Sequence, residues 1–203
     1  MPPADSLSPV APDAARSTAD ARRASVVACA VHVFARRGFH STPVTDVAEA
    51  AGISQAYVFR LFPSKVELFV AALEHCYALV RDELTAGASR VPDGSPHEVL
   101  HAMTEAYVGL VTERDLLMLQ VHAQSAGDVP EIRAAIRRGY GSVVEHARAL
   151  SAGDDAGVQR FLALGQLCHV VVAAGLDDVD AEWARLVTRD LPDAAARPVG
   201  SPS

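Results

Sequence analysis

The stretch "TPVTDVAEAAGISQAYVFRLFPSK", residues 42–65, decides the fold. Its apolar positions follow a helical period, break at Gly52, resume at Ile53 and stop at Pro63. Two helices of about two turns each result, and helices that short are marginal in water by themselves. They must lean on each other and on a third element. Gly52 supplies the positive φ that a sharp reversal needs, and Ser54 stands where it can cap the second helix. Thr42 followed by Pro43 predicts the start of the first helix, because a threonine oxygen caps free amides and proline suits the first helical position.

The third element precedes them. "TADARRASVVACAVHVFARRGF" spaces Val26, Val27, Ala30, Val33 and Phe34 three and four residues apart, an amphipathic helix ending at Gly38 with arginines on its polar stripe. After Pro63, "SKVELFVAALEHCYALVRDEL" places Val66, Phe69, Val70, Leu73, Cys76, Tyr77 and Val80 on one stripe of a longer helix. The turn residues of "RVPDGSP" close it. Further helices are predicted at about Pro96 to Glu113, Asp115 to Ala126, Val129 to Leu150, Asp155 to Ala174 and Asp180 to Arg189, with no strand pattern and no internal repeat.

Composition agrees with an all-α chain. Half of the 203 residues are hydrophobic but only 5% are aromatic, and alanine is abundant, which favours helices packed through small side chains over a sandwich of strands. Residues 1–18 and 191–203, rich in Pro, Ala and Ser without periodicity, are expected to be disordered tails. No run of about 18 apolar residues predicts a spanning helix, and the N-terminus lacks the basic-then-apolar order of a secretory signal, so the expectation is a soluble, cytoplasmic protein without a membrane partner. Cys29, Cys76 and Cys168 are too far apart for a metal knuckle and are read as reduced core residues. The net charge of −7 is unevenly spread: residues 16–65 carry +4 and residues 66–203 carry −9, as a DNA-contacting module joined to a non-contacting one would show.

At this point "GFHSTPVTDVAEAAGISQAYVFRLFPSKVELF" resembles the DNA-binding domain of the TetR family of transcriptional regulators, without a gap from about Arg22 to Leu73. The resemblance implies a helix-turn-helix domain over residues 19–66, a larger helical regulatory and dimerisation domain over 67–190, and a recognition helix from Gln55 to Leu61. Gln55, Tyr57 and Arg60 stand where the family directs side chains to bases and phosphates, with Thr42 and Lys65 on either side of the backbone contact. Their chemistry fits, since Gln pairs with adenine edges and Arg with guanine. Phe59 and Leu61 replace residues that hydrogen-bond phosphate in the commonest pattern, which shifts the expected affinity to Arg60 and the arginines of the first helix. The partner implied is double-stranded operator DNA, bound by a repressor. The alternative is a helical module that docks on protein.

The chain is not expected to be an enzyme or to need a cofactor. GxSxG, HExxH and CxxC are absent, and "GYGS" at 139–142 follows a helix pattern where a phosphate loop would follow a strand. His97 and His101, with Glu105 one turn on, could face one metal, but an exposed helix face reads the same way, and no metal site is expected. The larger half resembles the family's regulatory domain only loosely, which implies a small effector and a homodimer. Met103, Tyr107, Met118, His122 and Phe161, interleaved with apolar residues, are candidates to line a pocket for an apolar or aromatic ligand. The helix "DAGVQRFLALGQLCHVVVAAG" is apolar almost all round, so a second subunit is expected to cover one side, with Gly165, Val172 and Trp183 at the seam.

Overall fold

The computed structural model describes residues 12–111, 114–152, 154–189 and 191, together with the side chains from residue 19 onward. Every regular element among them is a helix: α1 Pro12–Ser41, α2 Val44–Ala50, α3 Gln55–Leu61, α4 Lys65–Ala88, α5 Pro96–Val111, α6 Arg114–Ser125, α7 Pro130–Leu150, α8 Asp155–Ala174 and α9 Glu182–Thr188, with a 3-10 turn at Leu176–Asp178 before α9. The period in the sequence thus located every helix to within a few residues, the start of α1 excepted.

Two boundaries differ from expectation. Helix α1 begins at Pro12, inside the stretch read as a tail, because proline is pre-organised for a first helical turn and the alanines after it propagate one. Residues 1–11 and 192–203 lie outside the described residues. Helix α2 begins at Val44, with Pro43 extended at ψ 151° in the cap position and no side-chain cap. A residue before proline is driven out of the helical region, so Thr42 does not offer its oxygen to α2.

Helix α1 is interrupted where expected. Gly38 sits at φ 73°, ψ −178°, a conformation open essentially to glycine, and it turns the chain toward α2. Gly52 at φ 64° makes the reversal between α2 and α3, and the Ser54 side chain accepts the Tyr57 amide at 3.2 Å. Ser64 caps α4 in the same way through the Glu67 amide at 3.1 Å.

Both halves of the chain share one hydrophobic core. It runs from Val26 and Phe34 of α1 through Val47, Val58 and Phe62 to Leu68, Phe69 and Leu73 of α4, and on to Met103, Leu119, Ile132 and Phe161. Phe34 and Phe69 meet edge to face at 4.9 Å, fixing α1 on α4 inside the helix-turn-helix. Helix α6 also packs along α1. There His32 Nδ1 lies 2.6 Å from Asp115 Oδ2, and the Cys76 thiol of α4 donates to the Leu116 carbonyl at 3.4 Å. The two modules are therefore mechanically continuous. Helix α8, expected not to resemble a spanning segment, is long and apolar enough by composition to cross a membrane, yet only a third of its apolar window is buried. Its outer side keeps Val170 55% exposed.

Candidate nucleic-acid interface and effector cavity

Helix α3 presents one face outward. Val58 is buried, while Gln55, Ala56, Phe59 and Arg60 are exposed and Tyr57 is half-buried. The Arg60 guanidinium lies over the Tyr57 ring at 5.0 Å, which confirms that these two share a face and orients the cation along it. Phe59 is 40% exposed, an apolar side chain one turn on from Gln55.

Other residues expected to touch DNA make contacts to neighbouring helices of the protein. Arg23 of α1 donates to the Leu61 carbonyl at the end of α3 and lies over the Phe62 ring at 4.0 Å. It caps the recognition helix and positions it. Arg37 pairs with Asp46 of α2. Both arginines thus hold short helices in place, which the periodicity of α1 gave no means to see. Lys65 Nζ donates to the His40 carbonyl at 3.3 Å and lies 4.8 Å from the Phe39 ring; partial burial lowers its pKa. It ties α4 to the end of α1.

Thr42 is fully buried and its Oγ1 has no hydrogen-bond partner among the described residues. An unpaired buried hydroxyl destabilises, whereas an apolar group of the same shape does not. Thr42→Val is expected to raise stability by about 1 kcal/mol, measured by chemical denaturation, with unchanged affinity for DNA. A loss of DNA affinity would return Thr42 to the interface.

Beneath this module a narrow cavity of about 40 Å³ opens between α4, α5, α6, α7 and α8. Tyr77, Tyr107, Tyr140 and Phe161 supply aromatic walls, and Val80, Val143 and Leu162 supply aliphatic ones. Gln120 and Gln166 add amides, and Gly165 leaves room. Of the five residues expected to line a pocket, Tyr107 and Phe161 do. Met103 is sealed in the core, and Met118 packs against that core from its edge. His122 lies instead on Gly38: a Cβ built there would come within 2.9 Å of its Nδ1, so this imidazole belongs to the junction of α6 with α1. Helical spacing named a stripe but could not say which of its residues look into a gap between five helices. Gln120 and Gln166, polar groups inside apolar phrases, were the signal that would have found the cavity.

Its polar groups are paired across helices. The Tyr107 hydroxyl and His169 Nε2 are 2.9 Å apart, Gln166 donates to the Tyr140 hydroxyl, and Gln124 donates to the Gln166 carbonyl oxygen at 3.2 Å. Burial lowers the His169 pKa to about 4 and raises that of Tyr107 well above its ordinary value, so both are neutral at pH 7. Tyr77 packs directly on the backbone of α7 at Gly139.

Gly165, expected at a subunit seam, faces inward: a Cβ there would lie 3.5 Å from the Tyr107 ring. Val172 is half-buried against the core, and its carbonyl accepts from Arg114 at 2.9 Å. Trp183, at 54% exposed, does face outward, with Leu186 one turn on. His97 and His101 are exposed; His101 pairs with Glu105 at 3.8 Å, and no group of three or more metal-ligating side chains occurs among the described residues.

A family profile described as bacterial regulatory proteins, tetR family, matches residues 26–72, which are α2, α3, most of α1 and the first third of α4. Over those residues the chain is similar to tetR-family regulators. Curated HTH-type regulators match parts of the chain. It is 36% identical to the HTH-type transcriptional activator FasR of Mycolicibacterium smegmatis over 55 residues, 27% of this chain and 25% of the relative. The chain thus spans about a quarter of that relative's length. Solved structures extend the likeness to the whole fold. A TetR-like transcriptional regulator from Rhodococcus sp. RHA1 is 26% identical with a TM-score of 0.58, covering 86% of this chain and 89% of that one. A transcriptional regulator from Saccharomonospora viridis, solved in complex with choline, is 21% identical with a TM-score of 0.65, covering 84% of this chain and 95% of that one.

Proposed function

We propose that this protein is a ligand-responsive transcriptional regulator that binds a palindromic operator as a homodimer and represses by occupying it. The observation that carries the reading is a single helix with two duties. Helix α4 is separated from the end of the recognition helix by only three residues, holds Phe69 in the core of the DNA-binding module, and lines the cavity with Tyr77 and Val80. At 24 residues it is a rod of roughly 36 Å. A ligand wider than the present gap must push this rod or its neighbours, and the base of the recognition helix then moves with them. Helix α6 offers a parallel route, since it carries Gln120 at the cavity and His122 against Gly38.

In this reading Gln55, Tyr57, Phe59 and Arg60 form the groove-facing surface, while Arg23, Arg37 and Lys65 hold it in position. Val170, Trp183 and Leu186 form the seam of the dimer. The ligand-bound relative from S. viridis supports an effector site in this fold, and the localisation that follows is cytoplasmic. Ligand control is then the difference in operator affinity between two spacings of the recognition helices, a coupling of typically 1 to 3 kcal/mol.

The test uses an operator selected from random duplex DNA by the full-length protein. Arg60→Ala is expected to weaken binding by about 1 to 3 kcal/mol, read by fluorescence anisotropy, with helicity and melting unchanged. Equal binding by variant and parent would remove Arg60 from the interface, and failure to enrich any sequence would favour the protein-docking alternative.

A further inference from the structure

The walls of the α4–α8 cavity carry no charge. Among the described residues that line it there is no Asp, Glu, Lys or Arg, and its polarity comes from three phenols and two primary amides. The buried imidazole of His169 is bonded to the Tyr107 hydroxyl. Burial keeps that imidazole neutral down to about pH 4. An ion brought into such a site loses its water and meets no counter-charge, which costs far more than placing a neutral molecule of the same shape.

Aromatic rings can hold a cation without an acid if their faces converge on it. Here they are committed elsewhere. One face of Tyr77 lies on the α7 backbone at Gly139, and Tyr140 meets Tyr77 edge on, at 6.0 Å and 66°. The Tyr107 hydroxyl is bonded to His169 and the Tyr140 hydroxyl to Gln166. What remains is an apolar slot whose exchangeable hydrogen bonds are those of the Gln120 and Gln166 amides, the first donating to the Leu116 carbonyl at 3.4 Å and the second to the Tyr140 hydroxyl, groups that both donate and accept.

We infer that the effector is an uncharged, mainly apolar or aromatic molecule carrying a hydroxyl, carbonyl or amide, and that carboxylates and quaternary amines are excluded. This rests on the reading of the cavity as an effector site. It separates this chain from its structural relative bound to choline. The polar end of such a ligand would displace Gln166 from Tyr140, breaking the chain of bonds through Gln124 that ties α6, α7 and α8 together at this point.

Two pairs of near-identical shape test this by calorimetry on the full-length protein: benzamide against benzoate, and 3,3-dimethylbutan-1-ol against choline. Each neutral member is expected to bind roughly 30-fold or more tightly than its charged partner. Gly165→Leu, whose side chain would grow from an ordinary contact with Tyr107 into the slot, should abolish that binding; Gly165→Ala, should the larger residue impair folding, should weaken it. Benzoate or choline binding as well as its neutral partner, and lost in the Gly165 variant, would overturn the ligand class while leaving an effector site in place. If neither neutral member binds, or if binding ignores both Gly165 variants, the slot is not the site and both readings fall.

Discussion

Gly139→Ala is expected to lower the stability of the protein by about 3 kcal/mol, the upper end for overpacking, and its melting temperature by roughly 6 to 12 °C. In an exposed helix the same change would stabilise by up to about 1 kcal/mol, because alanine is the better helix former. Here the added methyl would lie 2.1 Å from Tyr77 Cδ2 and 2.2 Å from Cε2, distances that no pair of carbon atoms tolerates. The ring cannot swing into water, since Tyr77 is buried between α4 and α7. It can move only into the slot it lines. The variant should therefore lose ligand binding as well as stability, while the DNA-binding module, whose core lies further along α4 at Leu68 and Phe69, keeps its fold. Differential scanning calorimetry and titration with benzamide measure the two effects. A variant as stable as the parent would mean that α4 and α7 separate freely, and the rigid coupling of cavity to recognition helix would fail with it.

The second large effect concerns assembly. Four large hydrophobic side chains are exposed among the described residues; Phe59 is on the recognition helix, and the other three are Val170 near the end of α8 and Trp183 and Leu186 on α9. Exposed apolar groups gathered at one end of a fold mark a surface that something covers, and a two-fold copy of the same surface is the simplest partner. Val170→Glu together with Leu186→Glu would bury unpaired carboxylates at such a seam. The double variant should sediment as a monomer with its helicity intact. Its operator affinity should fall by about 100-fold or more, because each monomer holds one half-site alone. Normal dimers at micromolar concentration would place the interface elsewhere. Gly165→Glu, which the apolar pattern alone would have suggested, is the wrong probe: that position opens toward Tyr107.

Much of this was legible in the sequence. The helix-turn-helix was fixed by local signals that need no tertiary knowledge: a glycine at a positive φ, a serine three residues before the amide it caps, a proline that ends a helix. Helical period then located the remaining elements, and a shared face for Tyr57 and Arg60 followed from a separation of three. These properties depend on residues within one turn of each other, so the chain states them directly. The roles of Arg23, Lys65, His122 and Gly165 were decided only by tertiary structure. Each sits on a stripe that period assigns correctly, yet its partner is a carbonyl, a ring or a glycine some 25 to 84 residues away, brought close by how helices cross. The cavity is of the same kind. It is what five helices fail to fill where Gly165 has no side chain and Tyr77 is pressed onto α7, and a gap left between elements is recorded in no single one of them.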